Sequence, residues 1–487
     1  MKILHVFFYM KTGGVERSIT RMLPRLHNPP DLEMRLILAV AGGELLDEIE
    51  SDVPTKVLHG KDMFRQIHEE ALECDVVHVH TINDMRLLLD AVAWAPVPVI
   101  ENIRTPIESQ APQLSDCLVP IADYISEWQS ITAPIKVIPD ALPVTSSPPL
   151  DKFNSQTPVY FLEVARPDKE RTYNLDDFYP LFNEPGLVHI DIVGSDGENK
   201  PGLTYHGLQK DTRPFFQKAH FHFNAPEFEA FGLTILEAYR DGAIPIAQNT
   251  GGLRDLVTNE KTGYLFKEGM NFAEVKAMLR KIVREYLKTP GKFAEIASQG
   301  YNQLKQNYSI ESCVQSYREL YKNIQRKNRP VWDQGWSPEF GAFYDLFGLK
   351  RLSPEMAISL SSQLRDPQER AMAFLRSAQL FLPASPQKAS ECLGQITEEP
   401  LDTYDFYFAR HETDYLLGNL NSAEANLCRC IEKAPERMEP YITLADFLLQ
   451  RRDVKKALDV LISFQKQNGP SQVIDSFIQK IDTNAFQ

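Results

Sequence analysis

Residues 226–257 read PEFEAFGLTILEAYRDGAIPIAQNTGGLRDLV. The four residues FHFN (221–224) form a short apolar run of strand type, and from Phe231 to Arg240 the apolar positions recur at helical spacing. The stretch is therefore a strand, a loop and a helix in immediate succession. Gly232 stands where the helix opens, and without a Cβ it lets another group come close to the backbone. The first turn of a helix carries unpaired N–H groups and the positive end of the helix dipole, which together make an anion site. Glu229 precedes that turn and Glu237 lies about one and a half turns inside it. A carboxylate accepts paired hydrogen bonds from vicinal hydroxyls. Two of them flanking an anion site suit an elongated ligand with a central phosphate group, such as a nucleoside diphosphate sugar.

The same grammar extends in both directions. Lys2–Phe7, Met34–Val40, Asp75–His80 and Val97–Ile100 read as buried strands, with spacings that suit crossover helices and a parallel sheet. Residues 143–158, PVTSSPPLDKFNSQTP, are rich in Pro and Ser and read as a linker. Strands are expected again at Val159–Arg166, Val188–Gly194, His220–Asn224 and Ala243–Gln248, with helices at Phe231–Arg240 and Asn271–Tyr286. Two doubly wound α/β domains, 1–142 and 159–309, follow from this pattern. Ligands of such sheets lie at the carboxyl ends of the strands. After Arg326 the pattern changes: 328–360, with Trp332 and Trp336, reads as a second linker before an all-α tail, 361–487. In that tail Ala389, Ala423 and Ala457 are 34 residues apart, as are Leu393, Leu427 and Leu461, while Tyr407 and Tyr441 share the period. The spacing resembles tetratricopeptide repeats, paired helices that stack into a solenoid with a concave face.

Composition narrows the function. The chain has 487 residues, enough for several domains, and 66 Asp+Glu against 52 Lys+Arg give a formal net charge of −14. Non-specific nucleic-acid binding needs clustered cations, so nucleic acid is not an expected partner. Six cysteines without a C-x-x-C pair exclude a disulfide scaffold or zinc ribbon and favour a reducing compartment, so the expected location is the cytoplasm. No run approaches the ~18 apolar residues of a membrane span, which leaves only peripheral membrane association open. The opening MKILHVFFYM runs into a Gly-Gly turn and reads as a first strand rather than a signal peptide.

The E-x7-E spacing with FGL inside it, followed by TGGLRDLV, resembles the retaining glycosyltransferases of the GT-B fold, family 4 type. VARPDKE (164–170) is similar to that family's strand-end diphosphate segment, YMKTGGVERS to its first Gly-rich loop, and DVVHVHTIND to its first-domain histidine segment. The resemblance covers about 1–327. It implies two Rossmann-like domains, with a helix near 310–327 crossing back onto the first. It implies a hexosyltransferase that uses a UDP- or GDP-sugar and retains anomeric configuration. Glu229 would meet donor-sugar hydroxyls and Glu237 the ribose, while Phe231, Gly232, Leu233 and Thr234 would frame the diphosphate. Arg166 and Lys169 would neutralise charge on the leaving diphosphate, with Arg171 the substitute for Lys169 if the shorter segment aligns differently. Gly13 and Gly14 would close on the phosphates and His80 would lie near the reacting centre. No D-x-D occurs, so no metal or other cofactor is expected. The acceptor is expected to be a protein or glycan, with the repeats expected to hold the acceptor or a protein partner. The alternative is a non-catalytic scaffold with a decayed transferase domain. A phosphorylase is disfavoured because no segment suggests a pyridoxal pocket.

Overall fold

The structure, a computed structural model, describes residues 1–487 apart from 12, 50–51, 59–61, 82–85, 130–132, 145–146, 155–156, 165–169, 183–185, 328–330, 333–334, 349 and 485–487. Strands β1 (Lys2–Phe7), β2 (Glu33–Leu38), β3 (Thr55–Val57), β4 (Val76–Thr81), β5 (Val99–Ile103) and β6 (Cys117–Pro120) form a parallel sheet in the order β3-β2-β1-β4-β5-β6. Strands β7 (Val159–Val164), β8 (Val188–Val193), β9 (Leu203–Tyr205), β10 (Phe221–Asn224), β11 (Ile244–Gln248) and β12 (Tyr264–Phe266) form a second one, ordered β12-β11-β10-β7-β8-β9. Both have helices on their faces, which is why inner strands such as β1 and β10 are buried almost throughout. The sequence finds the long inner strands. It misses β3, β6, β9 and β12, each of three or four residues at a sheet edge, because so short a run carries no readable alternation.

Two crossings of the chain between the domains lie side by side. The Leu142 N–H donates to the Tyr308 carbonyl at 3.0 Å, and the Ile310 N–H donates to the Leu142 carbonyl at 2.9 Å. The helix Ile310–Asn323 then packs back onto the first sheet, burying Tyr317 and Tyr321. Beneath it lies a chain of buried rings. Tyr321 Oη and His78 Nδ1 share a hydrogen bond of 2.8 Å, and His5 Nδ1 and His80 Nε2 share one of 2.9 Å. All three histidines are fully buried.

The tail is all helix among its described residues: Pro338–Gly348, Pro354–Gln363, Pro367–Phe381, Pro386–Gly394, Thr403–Leu416, Leu420–Lys433, Glu439–Gln450, Val454–Asn468 and Gln472–Asn484. The 34-residue columns fall on equivalent helices, with Ala389, Ala423, Ala457, Leu393, Leu427 and Leu461 all buried. The stretch 328–360, expected as a linker, instead contains a helix and the start of another. Trp336, Phe340 and Tyr344, four residues apart, form one apolar face that packs with Phe64 and His68 of the first domain. The tail as far as Ala409 therefore extends the first domain's core, and its last helices form apolar clusters of their own. Buried charge joins them as well: Arg376 binds Asp90 at 3.0 Å and Asp405 at 2.7 Å, while Arg86 binds Asp405 and Asp402.

Burial pushes the pKa of His5 down to about 3 and holds His78 and His80 well below the ordinary histidine value. They stay neutral in the folded protein, whereas the unfolded chain takes up protons below pH ~6.5. Their contribution is therefore complete above that pH and is lost as pH falls toward the folded values. Each histidine should cost about 1.4 kcal/mol of stability per pH unit in that window. Urea-denaturation midpoints measured from pH 7 to pH 5 should fall accordingly, with a shallower slope in His78→Gln. Identical slopes in the variant and the parent would show that His78 is not held neutral.

Candidate active site

In each sheet the strand order reverses between neighbours, at β1 and β4 in the first and at β7 and β10 in the second. The loops leaving the carboxyl ends of such strands form the ligand crevice of doubly wound domains. The Gly13-Gly14 turn follows β1, residues 165–172 follow β7, and Glu229 follows β10.

The helix Leu233–Asp241 opens on Gly232 at φ 109°, a left-handed conformation natural to glycine. A Cβ there would also come within 2.6 Å of Leu253 Cδ2. Behind this turn lies the Thr250-Gly251-Gly252 loop. The Gly252 N–H donates to the Glu229 carbonyl at 2.9 Å, and a Cβ on Gly251, itself at φ 49°, would run into that same carbonyl oxygen. The two glycines thus let one loop press on the backbone of Glu229 and fix where its half-buried side chain starts. Phe231 is buried and packs in the apolar cluster between the domains. Leu233 and Thr234 are half-buried in the first turn, with Thr234 Oγ1 accepting from Asn224 Nδ2 at 3.3 Å.

The first domain meets this turn directly. A Cβ on Gly14 would lie 3.6 Å from Leu233 Cδ1, so the Gly13-Gly14 turn lies over the helix start. Glu237 faces Arg21, of the helix Gly14–Leu26, across the cleft at 3.9 Å. Burial raises the Glu237 pKa, and Arg21 and Arg240 oppose that rise. Arg21 went unnoticed in the sequence because one arginine on an amphipathic helix looks like any solvated charge. Arg104 and Asp140 were also missed. They form a buried bidentate pair at 2.8–2.9 Å, with Ser18 Oγ donating to Asp140 at 2.6 Å.

Arg166 and Lys169 lie outside the described residues. The substitute for Lys169, Arg171, binds Glu163 at 2.7 Å and Asn174 at 3.0 Å. Burial pushes Glu163 up to about 7 against the pull of Arg171. The segment nonetheless reaches the site, since the Thr172 N–H donates to the Ala225 carbonyl at 2.9 Å and the Glu227 N–H to the Glu170 carbonyl at 3.2 Å. His80 is fully buried beneath the helix Ile310–Asn323 and offers no exposed surface to a ligand. The sequence reading put it near the reacting centre; strand spacing shows that His78 and His80 share a face but not what covers that face. The nitrogens of His5, His78 and His80 come within 4.8 Å of one another, the one such group of metal-ligating side chains among the described residues. The His78 and His80 rings stack, however, with centroids 4.5 Å apart, and the His5–His80 hydrogen bond occupies two of the nitrogens. His78 Nδ1 and His5 Nε2 also meet Tyr321 Oη, whereas His78 Nε2 and His80 Nδ1 are buried without a hydrogen-bond partner among the described residues.

Residues 198–300, which include Glu229, Gly232 and Glu237, match the family described as glycosyl transferases group 1. The glycogen synthase of Pseudomonas savastanoi pv. phaseolicola is 31% identical over 124 residues, which is 25% of this chain and 24% of that one. The glycogen synthase of Thermodesulfovibrio yellowstonii is 36% identical over 97 residues, 20% of this chain and 18% of that one. The chain thus aligns with about a quarter or less of the length of these curated relatives. Among solved structures, Anabaena HepE in complex with UDP superimposes with a TM-score of 0.56 at 17% identity, covering 66% of this chain and all of that one. A glycosyltransferase from Rickettsia africae does so with a TM-score of 0.52 at 16% identity, covering 66% and 98%. The fold of the two α/β domains is therefore the GT-B fold. No helix among the described residues is long and apolar enough to cross a membrane.

Gly251→Ala should cost about 1–3 kcal/mol through backbone strain, and more from the overlap with the Glu229 carbonyl. Urea denaturation checks this, and an unchanged midpoint would show that the loop does not hold Glu229 in place.

Proposed function

We propose that the chain is a glycosyltransferase that moves a sugar from a nucleotide-sugar donor to a protein or glycan acceptor, with retention of configuration and without a metal. One observation carries the reading: a helix N-terminus opened by a left-handed glycine, flanked by Glu229 and Glu237, lies at the carboxyl edge of β10 against a glycine turn and an arginine of the opposite domain. The match of 198–300 to the group 1 glycosyltransferases supports it. The UDP and UDP-glucose held by Anabaena HepE make a uridine donor the first choice.

In this reading the free N–H groups of the first turn, at Leu233 and Thr234, receive the diphosphate at the positive end of the helix. Arg166 and Lys169 stabilise the charge that grows on the diphosphate as the glycosidic bond breaks, and Gly13-Gly14 closes over it. Glu229 orients the sugar through its hydroxyls and Glu237 takes the ribose. With cations and a helix dipole at the diphosphate, a metal clamp is not needed. His80 has no contact role; with His5, His78 and Tyr321 it fixes the floor of the first domain. The helical tail is read as a tetratricopeptide-like solenoid that holds the acceptor or a partner, in a protein of the cytoplasm.

The test is release of nucleotide from UDP-glucose and other UDP-, GDP- and ADP-sugars, with peptide and glycan acceptors, and with NMR assignment of the product's anomeric configuration. Expected is turnover with one nucleotide class that resists EDTA, retains configuration and falls roughly 100-fold in Glu229→Gln. Binding of donor without turnover under any of these conditions would point instead to the scaffold alternative.

A further inference from the structure

Where the helical tail meets the first domain there is a cavity of about 490 Å³, within the range of binding pockets. One wall is the segment after β5 (Ile107–Gln110) together with Trp128. The other is built by the helices Thr403–Leu416, Glu439–Gln450 and Gln472–Asn484, with Gln379 and Arg86 at its end. The repeat period shows in this second wall. Tyr404 and Met438, Asp405 and Glu439, Phe408 and Ile442, and Thr443 and Phe477 are pairs 34 residues apart that all line the cavity. Alternate helices of a stacked array present equivalent positions to one concave face, and here that face is closed on its far side by the first domain.

The state of the lining side chains decides what fits. The polar groups are largely committed to one another. The Arg437 guanidinium lies over the Tyr404 ring at 3.8 Å and donates to Glu439 at 2.7 Å. Glu108 accepts from the backbone N–H groups of Met438 and Glu439 at 3.3 and 3.1 Å, and Asp405 is bound by Arg86 and Arg376. A saccharide would find few free partners for its hydroxyls. What remains open is apolar: Ile107, 44% exposed, with half-buried Trp128, Phe408, Ile442, Val473 and Phe477. One donor is unmet, since Arg437 Nε is buried without an acceptor among the described residues. Charge is also unbalanced. At and just behind the lining, Asp90, Glu108, Asp402, Asp405 and Glu439 face Arg86, Arg376 and Arg437, and no lysine lines the cavity.

One short stretch of chain touches both the cavity and the second domain beside Glu229. Trp128 follows the short helix Asp123–Ser126, whose Tyr124 packs 6.2 Å from Phe228, next to Glu229, and whose Tyr124 N–H donates to Asp255 at 2.9 Å. We propose that this cavity docks a segment of a protein acceptor: an extended peptide whose apolar side chains fill the pocket and whose Lys or Arg side chains meet the carboxylate surplus. A peptide also brings carbonyls, the acceptor that Arg437 Nε lacks. The acceptor role rests on the glycosyltransferase reading; the docking itself does not.

The probe is a fluorescein-labelled heptapeptide, Lys-Leu-Phe-Lys-Leu-Phe-Lys, titrated with the full chain by fluorescence anisotropy at fixed salt, without donor. An otherwise identical peptide with Glu for Lys serves as the charge control. Expected is saturable binding of the basic peptide, at least 10-fold weaker for the acidic one and at least 10-fold weaker in Ile107→Asp and in Phe477→Ala. Both substitutions lie at half-buried or exposed positions away from the donor residues, so UDP-glucose binding by calorimetry should be unchanged in them. Absence of saturable binding, equal affinity for the acidic peptide, or full affinity in both variants would overturn the proposal. So would displacement of the peptide by maltoheptaose or by phosphatidylglycerol vesicles in preference to unlabelled peptide, which would name a glycan or a lipid as occupant. Peptide binding with these signatures in a chain that binds no donor would uphold the docking site and refute the donor site.

Discussion

The press of the Thr250–Gly252 loop against the backbone of Glu229 holds the second domain's half of the cleft. A parallel sheet leaves its loops at the carboxyl edge with no ladder to order them, so their positions must come from contacts between loops. Here Gly251 and Gly252 remove the side chains that would keep the two loops apart, and a backbone hydrogen bond locks them together. Glu229, the left-handed turn at Gly232 and the first turn of the helix Leu233–Asp241 are then placed as one unit. The opposite domain needs only to bring Gly14 and Arg21 to it.

That approach depends in turn on the return of the chain to the first domain. The helix Ile310–Asn323 covers the histidines of β1 and β4, and the tail continues on the same core, through Trp336, Phe340 and Tyr344 and then through the buried ion cluster around Arg376. Breaking one partner of such a cluster leaves an uncompensated buried charge, which is far costlier than the net worth of the pair. The tail is thereby held against the loops that follow β5, which gives a helical array of this kind a fixed relation to the cleft.

Much of this was legible in the sequence wherever the signal was local. The block from Glu229 to Val257 contains its own strand, turn, helix and glycines, and the inner strands are long enough to show their apolar runs. The 34-residue columns mark equivalent buried positions on the tail's helices. What stayed hidden needs a partner distant in sequence. His80 reads as a strand-end histidine until a helix more than 200 residues later covers it. Arg376 and Asp90 carry no local signal of pairing, since they lie 286 residues apart, yet they bind each other in the core. The aromatic spacing of 336–344 is present to be read, but the loss of the strand–helix pattern after Arg326 reads as a linker.

The most direct measurement of the central claim is calorimetric titration of UDP-glucose into the full-length chain and into Glu237→Ala. The account predicts one saturable site in the parent chain and at least a 10-fold loss of affinity in the variant, with both chains unfolding at similar urea concentrations. No binding of UDP-glucose or of the GDP- and ADP-glucose controls, or equal binding in parent and variant, would contradict the assignment of this cleft to a nucleotide-sugar donor.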